Sequence, residues 1–278
     1  MSGFSLNLVL QHNRVSIRYH MTKLQVKFNR ITSFGGIVLV NRLFDHLSLG
    51  KVINETLGLR STAHNGYQWD EIVKSLFNIY LCGGDHIEDI ISLMPSLSQA
   101  PGSHVTSSDT IGRGINQLTT DNITYTAKSG NTYTFNTNEF LNDLLMKLNM
   151  AVGLFKSGQF LDVDFGHQFI PTEKHDATYS YKKAFGYFPG VASVGDVIVH
   201  VENQDGNTPV KFCQAETLKR LLASLRKHGL SIYRFRVDCG SYSKEIVETR
   251  AQQSVLSACV KLRKCLYGIC RTGWLENH

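Results

Sequence analysis

The sequence predicts an α/β protein: a mixed sheet in its second half, preceded by a mainly helical region. Three observations carry this. Helical apolar periodicity with helix caps dominates up to residue 120. Strand-like alternation takes over from residue 158. From there the elements read β-β-β-α-β-α, a meander followed by α-β-α units.

Residues 1–30 show no clear period and read as a poorly ordered N-terminal extension. Met21 opens the strand-like "MTKLQVKF", so either Met1 or Met21 could be the start. In "YQWDEIVKSLFNIYLCGG" (67–84), helical spacing puts Ile72, Val73, Leu76, Phe77 and Tyr80 on one face, ending at Gly83-Gly84. "DHIEDIISLM" (85–94) begins a second helix with acids in its first turn, where the helix dipole favours them. His86, Glu88 and Asp89 have metal-ligand chemistry, but a capped helix start explains them better. "SSDTIGRGINQL" (107–118) is a third helix with Ser/Asp caps. "NITYTAKSGNTYTFN" (122–136) is a hairpin turning at Ser129-Gly130-Asn131, and "NEFLNDLLMKLNMAVG" (138–153) an amphipathic helix.

The second half opens on the strand "GQFLDVDF". A second strand is expected in 179–190, ending in a Pro-Gly turn, and a third over 196–207, closed by Asp205-Gly206. A helix (214–229), a fourth strand (231–241) and a helix (242–253) follow. That layout is the one of a ribonuclease H-like sheet with helices on its faces. Three regions are thus expected: an extension (1–30), a mainly helical region with a hairpin (31–155), and a ribonuclease H-like domain (156–278).

No run of 18 apolar residues exists, so no transmembrane helix is expected, and the N-terminus lacks the basic start of a secretory signal. The six cysteines form no CxxC pair and read as buried free thiols of a reducing cytoplasm. The net charge is +6, and 211–271 alone holds 13 Lys and Arg against 4 Asp and Glu. Such a segment suits a polyanion partner or, equally, a solvated helix face.

"LDVDFGH" (161–167) places two acids two residues apart on a strand, and therefore on one side of it. "RVDCGS" sets Asp238 at the end of the fourth strand, which would neighbour the first. Carboxylates meeting there could hold Mg²⁺ or Mn²⁺, and a pair of such ions serves phosphoryl transfer. The plainer reading is a set of strand-end acids facing water.

The stretches "FLDVDFGHQFIPTEKHDATYSYKKAFGYFPGV", "VENQDGNTP" and "YRFRVDCGSYSKEIVE" resemble, in that order, the bacterial insertion-sequence DDE transposases of the group 1 type. "SFGGIVLVNRLFD", "NIYLCGGDHIEDI" and "SSDTIGRGINQL" resemble the N-terminal part of that family, so the likeness runs over about 31–250. It implies a DNA-binding or assembly region in 31–155 and a partial ribonuclease H-like DDE catalytic domain, incomplete at its C-terminus, in 156–278. The resemblance implies metal-dependent DNA strand cleavage and strand transfer by an Asp-Asp-Glu triad holding two ions. It places the first acid on Asp164, with Asp162 as alternative, and the second on Asp238. It places the third past residue 278, implying an inactive chain shortened at its C-terminus. Glu276 follows Asp238 by 38 residues but has no helix after it to hold it, and Glu248 comes too early. The implied partners are duplex DNA at the element ends, target DNA and a second copy of the chain, with no membrane. A non-catalytic DNA-binding remnant is the alternative. "LDVDFG" also resembles the opening of haloacid-dehalogenase-type phosphatases, but Gly166 stands where that motif needs Thr or Val.

Lys182 and Lys183 interleave with Tyr181 and Tyr187 and suit DNA phosphates and bases, although the aromatics equally suit a core. Arg234 and Arg236 share a strand face and suit phosphate or nearby acids. His167 and His175 read as polar loop histidines.

Overall fold

A computed structural model describes residues 34–63, 66–98, 105–237 and, as backbone, 256–259. Met21, Asp238, Glu248, Glu276 and the helix expected over 242–253 lie outside the described residues. The described part is mixed α/β: five helices, then a hairpin and helix, then a mixed sheet with one further helix.

Helices α1 (Ile37–His46), α2 (Leu49–Leu57), α3 (Trp69–Leu81), α4 (Ile90–Leu97) and α5 (Ser108–Gln117) form the N-terminal part. Helix α3 begins at a reciprocal cap in which the Gln68 backbone N–H donates to Glu71 Oε2 at 2.8 Å. Its inward face differs from the expected one. Trp69, Ile72, Ser75, Asn78 and Ile79 are buried, whereas Phe77 and Tyr80 are 54% and 64% exposed. The rotation has a packing cause. The Thr106 backbone N–H donates to the small Ser75 hydroxyl at 3.1 Å, and Gly114 of α5 lies against Ile72. Small polar residues that admit a neighbour won over larger apolar ones that do not. A 3-10 turn (Ile87–Asp89) precedes α4, and Ser107 caps α5 by accepting from the Thr110 N–H.

The hairpin forms as β1 (Ile123–Thr126) and β2 (Thr132–Asn136). Helix α6 (Glu139–Ala151) follows, capped by Asn138. Then come β3 (Phe160–His167), β4 (Ile170–Pro171), β5 (Thr178–Tyr179), β6 (Phe185–Tyr187), β7 (Gly190–Val194) and β8 (Val197–Gln204). Helix α7 (Gln214–Lys227), β9 (Ser231–Val237) and β10 (Leu256–Cys259) complete the order. The main sheet runs β1-β2-β8-β7-β3-β9-β10. Strand β3 pairs antiparallel with β7 and parallel with β9, and β9 pairs parallel with β10.

The expected second strand, 179–190, is not one strand. Its residues divide between β5 and β6 of a separate sheet ordered β4-β6-β5. The main-sheet strand is β7, which begins at Gly190, the residue read as closing a turn. Lys183 at φ +61° turns the chain between β5 and β6, so the run cannot stay extended.

One face of the main sheet is apolar. Leu161, Val163 and Phe165 of β3 and Phe235 of β9 pack with Leu218, Leu221 and Leu225 of α7 and Met146 of α6. Burying each such side chain contributes about 2 kcal/mol. The Asn142 amide fixes α6 to β8 by donating to the Val201 carbonyl and accepting from its N–H, both at 2.8 Å. No helix among the described residues is long and apolar enough to cross a membrane.

Candidate functional site

Strand alternation that buries Leu161, Val163 and Phe165 turns Asp162 and Asp164 to the opposite face of β3. Parallel pairing with β9 sets Asp162 beside Arg234 and Asp164 beside Arg236. The Arg236 guanidinium donates to both oxygens of Asp164, Nε to Oδ1 at 2.5 Å and Nη2 to Oδ2 at 2.6 Å. Arg234 Nη1 lies 3.6 Å from Asp162 Oδ2, and its guanidinium also rests 5.9 Å from the centre of the Tyr233 ring. The hydrogen bond to Asp164 raises the Arg236 pKa above its ordinary value. The side chains of this quartet remain 38–43% exposed, so solvent screens both pairs.

The two arginines therefore pair with the local acids rather than standing free. Asp238, the other expected acid, lies outside the described residues. As arranged, the described residues do not fit a divalent ion. Each oxygen of Asp164 accepts one hydrogen bond from the Arg236 fork, which puts a positive charge where an ion would sit. Among the described residues, no three His, Cys, Asp or Glu side chains gather as metal ligands would. What the quartet can do is exchange partners. A planar guanidinium binds phosphate as well as carboxylate, in the same forked geometry.

The remaining candidates fall elsewhere. Lys182 and Lys183 sit exposed in the turn between β5 and β6, with Lys182 Nζ 5.0 Å from the centre of the Tyr181 ring. His167 is no loop residue. It ends β3 in an aromatic stack, edge to face with Phe165 and stacked on Phe188, each at 5.2 Å. His175 is exposed in a turn. The Asp89 carboxylate accepts the backbone N–H groups of His86 and Asp85, which lowers its pKa and makes it a cap. Cys82 and Cys213 are half-buried, and burial pushes the Cys82 thiol up.

One charged cluster escaped the sequence reading. Glu202 of β8 is fully buried and takes Arg220 Nε at 2.9 Å and Nη2 at 2.5 Å. The Thr217 hydroxyl donates to Glu202 Oε1 at 2.8 Å, and His200 Nε2 lies 3.9 Å from Oε2. Burial opposes ionisation of Glu202, but these polar groups outweigh it and hold its pKa below the ordinary value. The signal was the spacing in "HVEN", where His200 and Glu202 alternate onto the buried face of β8.

The basic segment is also less free than composition suggested. Of its described members, Lys219, Arg220, Lys227, Arg234 and Arg236 face acids. Among the described residues, Lys211 and Arg226 have no acid partner and are exposed.

No family model and no curated protein matches the chain. Among solved structures it is similar to one described as "Mos1 transposase paired-end complex with left transposon end". The TM-score is 0.27 at 11% identity, over 79% of this chain and 66% of that one. The match thus spans just under two thirds of that protein's chain, and a TM-score this low does not establish a shared fold.

Proposed function

We propose that the chain acts on DNA as a protein of the insertion-sequence DDE transposase class, with Asp164 as the carboxylate on the central strand of its sheet. The observation that carries the reading is the strand order β8-β7-β3-β9-β10. Three consecutive antiparallel strands, followed through α7 by a parallel strand on the far side of the first, make up the layout expected of a ribonuclease H-like sheet. The resemblance of the quoted sequence blocks is the support for that class. On this reading Asp164 and Asp162 form the acidic side of the site, and Arg236 and Arg234 receive the DNA phosphate.

A second reading has its own support. The fork of Arg236 on Asp164 neutralises the carboxylate from within, as suits a non-catalytic DNA-binding protein. One experiment separates the two. Duplex DNA from the ends flanking the reading frame is incubated with the chain and Mg²⁺ or Mn²⁺, and binding and strand cleavage are read separately. Cleavage abolished by Asp164→Asn with binding retained supports the catalytic reading. Binding without cleavage supports the second. Cleavage untouched by Asp164→Asn removes Asp164 from the site.

A further inference from the structure

The separate three-stranded sheet has two unlike faces. Its register sets Ile170 opposite Tyr187 and Tyr179 opposite Phe185. Directly opposed residues share a face, as do Phe185 and Tyr187, two apart on β6. All four side chains therefore stand on one side, where Ile170, Tyr179 and Phe185 are 45%, 57% and 55% exposed.

The other side is seated on backbone. A Cβ on Gly186 would lie 2.3 Å from the Ile170 carbonyl oxygen and 2.7 Å from the Phe169 ring. One on Gly206 would lie 2.2 Å from the Gly186 carbonyl oxygen. The turn after β8 thus backs the small sheet directly, and further bonds pin it. The Asn207 N–H donates to the Thr178 hydroxyl at 3.2 Å, and the Phe188 N–H to the Gln204 carbonyl at 2.9 Å. The Tyr187 hydroxyl donates to Asp176 at 2.6 Å, fixing that ring. The outward aromatic face is therefore held rigidly from behind.

Charge decides what it fits. Tyr181, 67% exposed, stands with Lys182 and Lys183 at the tip of the hairpin, and Lys174 is exposed on the preceding turn. Protein interfaces favour Tyr and Phe but are depleted in Lys at their centres. Aromatic rings beside ammonium groups are what stacks unpaired bases while neutralising their phosphates. The sheet also follows β3 directly in the chain, with two residues between His167 and Ile170.

We infer that this outward face is a stacking platform for unpaired bases of DNA, with the hairpin lysines on the adjoining phosphates. This rests on the DNA-acting reading and sharpens it, since paired duplex offers no free base faces.

The test compares two labelled DNAs of one sequence, one fully paired and one with a run of unpaired bases beside the duplex, by fluorescence anisotropy. The wild type should prefer the unpaired form. Tyr179→Ser with Phe185→Ser should weaken binding to that form by about tenfold or more, as removing stacked aromatics does, and leave paired duplex unchanged. The conservative Tyr179→Phe with Phe185→Tyr should keep the preference, which separates lost stacking from lost folding. Wild type that binds neither DNA overturns the DNA-acting reading itself. Wild type that binds both, with no change in the serine variant, overturns the platform alone. A serine variant that only converts a dimer to a monomer in sedimentation shows a contact between copies instead, and also overturns it.

Discussion

Two arginine–carboxylate forks occur among the described residues, and burial separates their roles. Asp164–Arg236 lies on an open sheet face, about 40% exposed on both sides. Glu202 is fully buried, and its partner Arg220 is 19% exposed. Removing one member of a buried pair leaves a stranded charge, so Glu202→Ala should cost about 3–5 kcal/mol in urea denaturation. The paired change Glu202→Leu with Arg220→Leu should recover much of that loss, because it also removes the desolvation of both ions. Asp164→Asn should leave the denaturation midpoint unchanged, since solvent already screens that pair. The acid limb follows from the same pair. The folded pKa of Glu202 lies below its ordinary value of 4.5, so its stabilisation is complete above that pH. It disappears as pH falls through the folded value, and a Glu202→Gln variant should lose the corresponding part of the wild type's acid sensitivity.

Helices α6 and α7 are tied at Asp143, which takes Lys147 at 2.8 Å within its own helix and Lys227 at 2.6 Å across to α7. Burial pushes the Asp143 carboxyl up, but the two lysines outweigh it and bring its pKa down to about 2. Relative to the ordinary 3.8, that stabilises the fold by about 2 kcal/mol above pH 3.8, and the gain is lost between there and about pH 2. Asp143→Asn should lower the melting temperature at neutral pH and converge with wild type at the acid end of a melting series. Periodicity revealed α6 and α7 themselves, because amphipathic spacing and caps are local. The salt bridge joining them was not legible, because Asp143 and Lys227 are distant in sequence and nothing local pairs them. The inward face of α3 was misread for the same reason. Which stripe is buried depends on Ser75 meeting Thr106 and on Gly114 meeting Ile72, contacts made by other segments. Strand 179–190 failed because Lys183 takes a positive φ, which no alternation pattern announces. Gly206→Ala tests the resulting sheet. Its new methyl would press on the Gly186 carbonyl, so the small sheet should detach and the exposed Tyr and Phe rings change their fluorescence, while the main-sheet core stays folded.

At the scale of the molecule, the pairing of β3 with β9 was legible because a crossover helix returns the chain parallel, whereas the strand between β3 and β8 was misplaced and the joining of the hairpin to β8 was not read at all. Strand β3 does lie between β7 and β9, and Asp162 and Asp164 do share a face with Arg234 and Arg236. The ion pairing within that quartet was left open, because a strand pattern gives the face of a side chain and not its partner. The same limit applies to net charge. Composition counted 13 basic residues in 211–271, yet most of those in the described part already face acids. Cations with no internal partner can meet phosphate without first giving up an acid, so they should add most directly to the salt dependence. Among the described residues these include Lys182 and Lys183 at the small sheet's tip and Lys211 and Arg226 at the two ends of α7. Each phosphate neutralised on B-DNA contributes about −0.9 to the slope of log affinity against log salt. Lys182→Ala with Lys183→Ala should therefore flatten that slope by about two units if both reach phosphate. Lys219→Ala should flatten it less, because Glu216 already holds that ammonium at 2.7 Å. Duplex affinity measured across a salt series for wild type and both variants checks this. An equal flattening by Lys219→Ala and by the hairpin pair would show that internal ion pairs open on binding, and that the whole basic segment, not its unpaired members, meets the DNA.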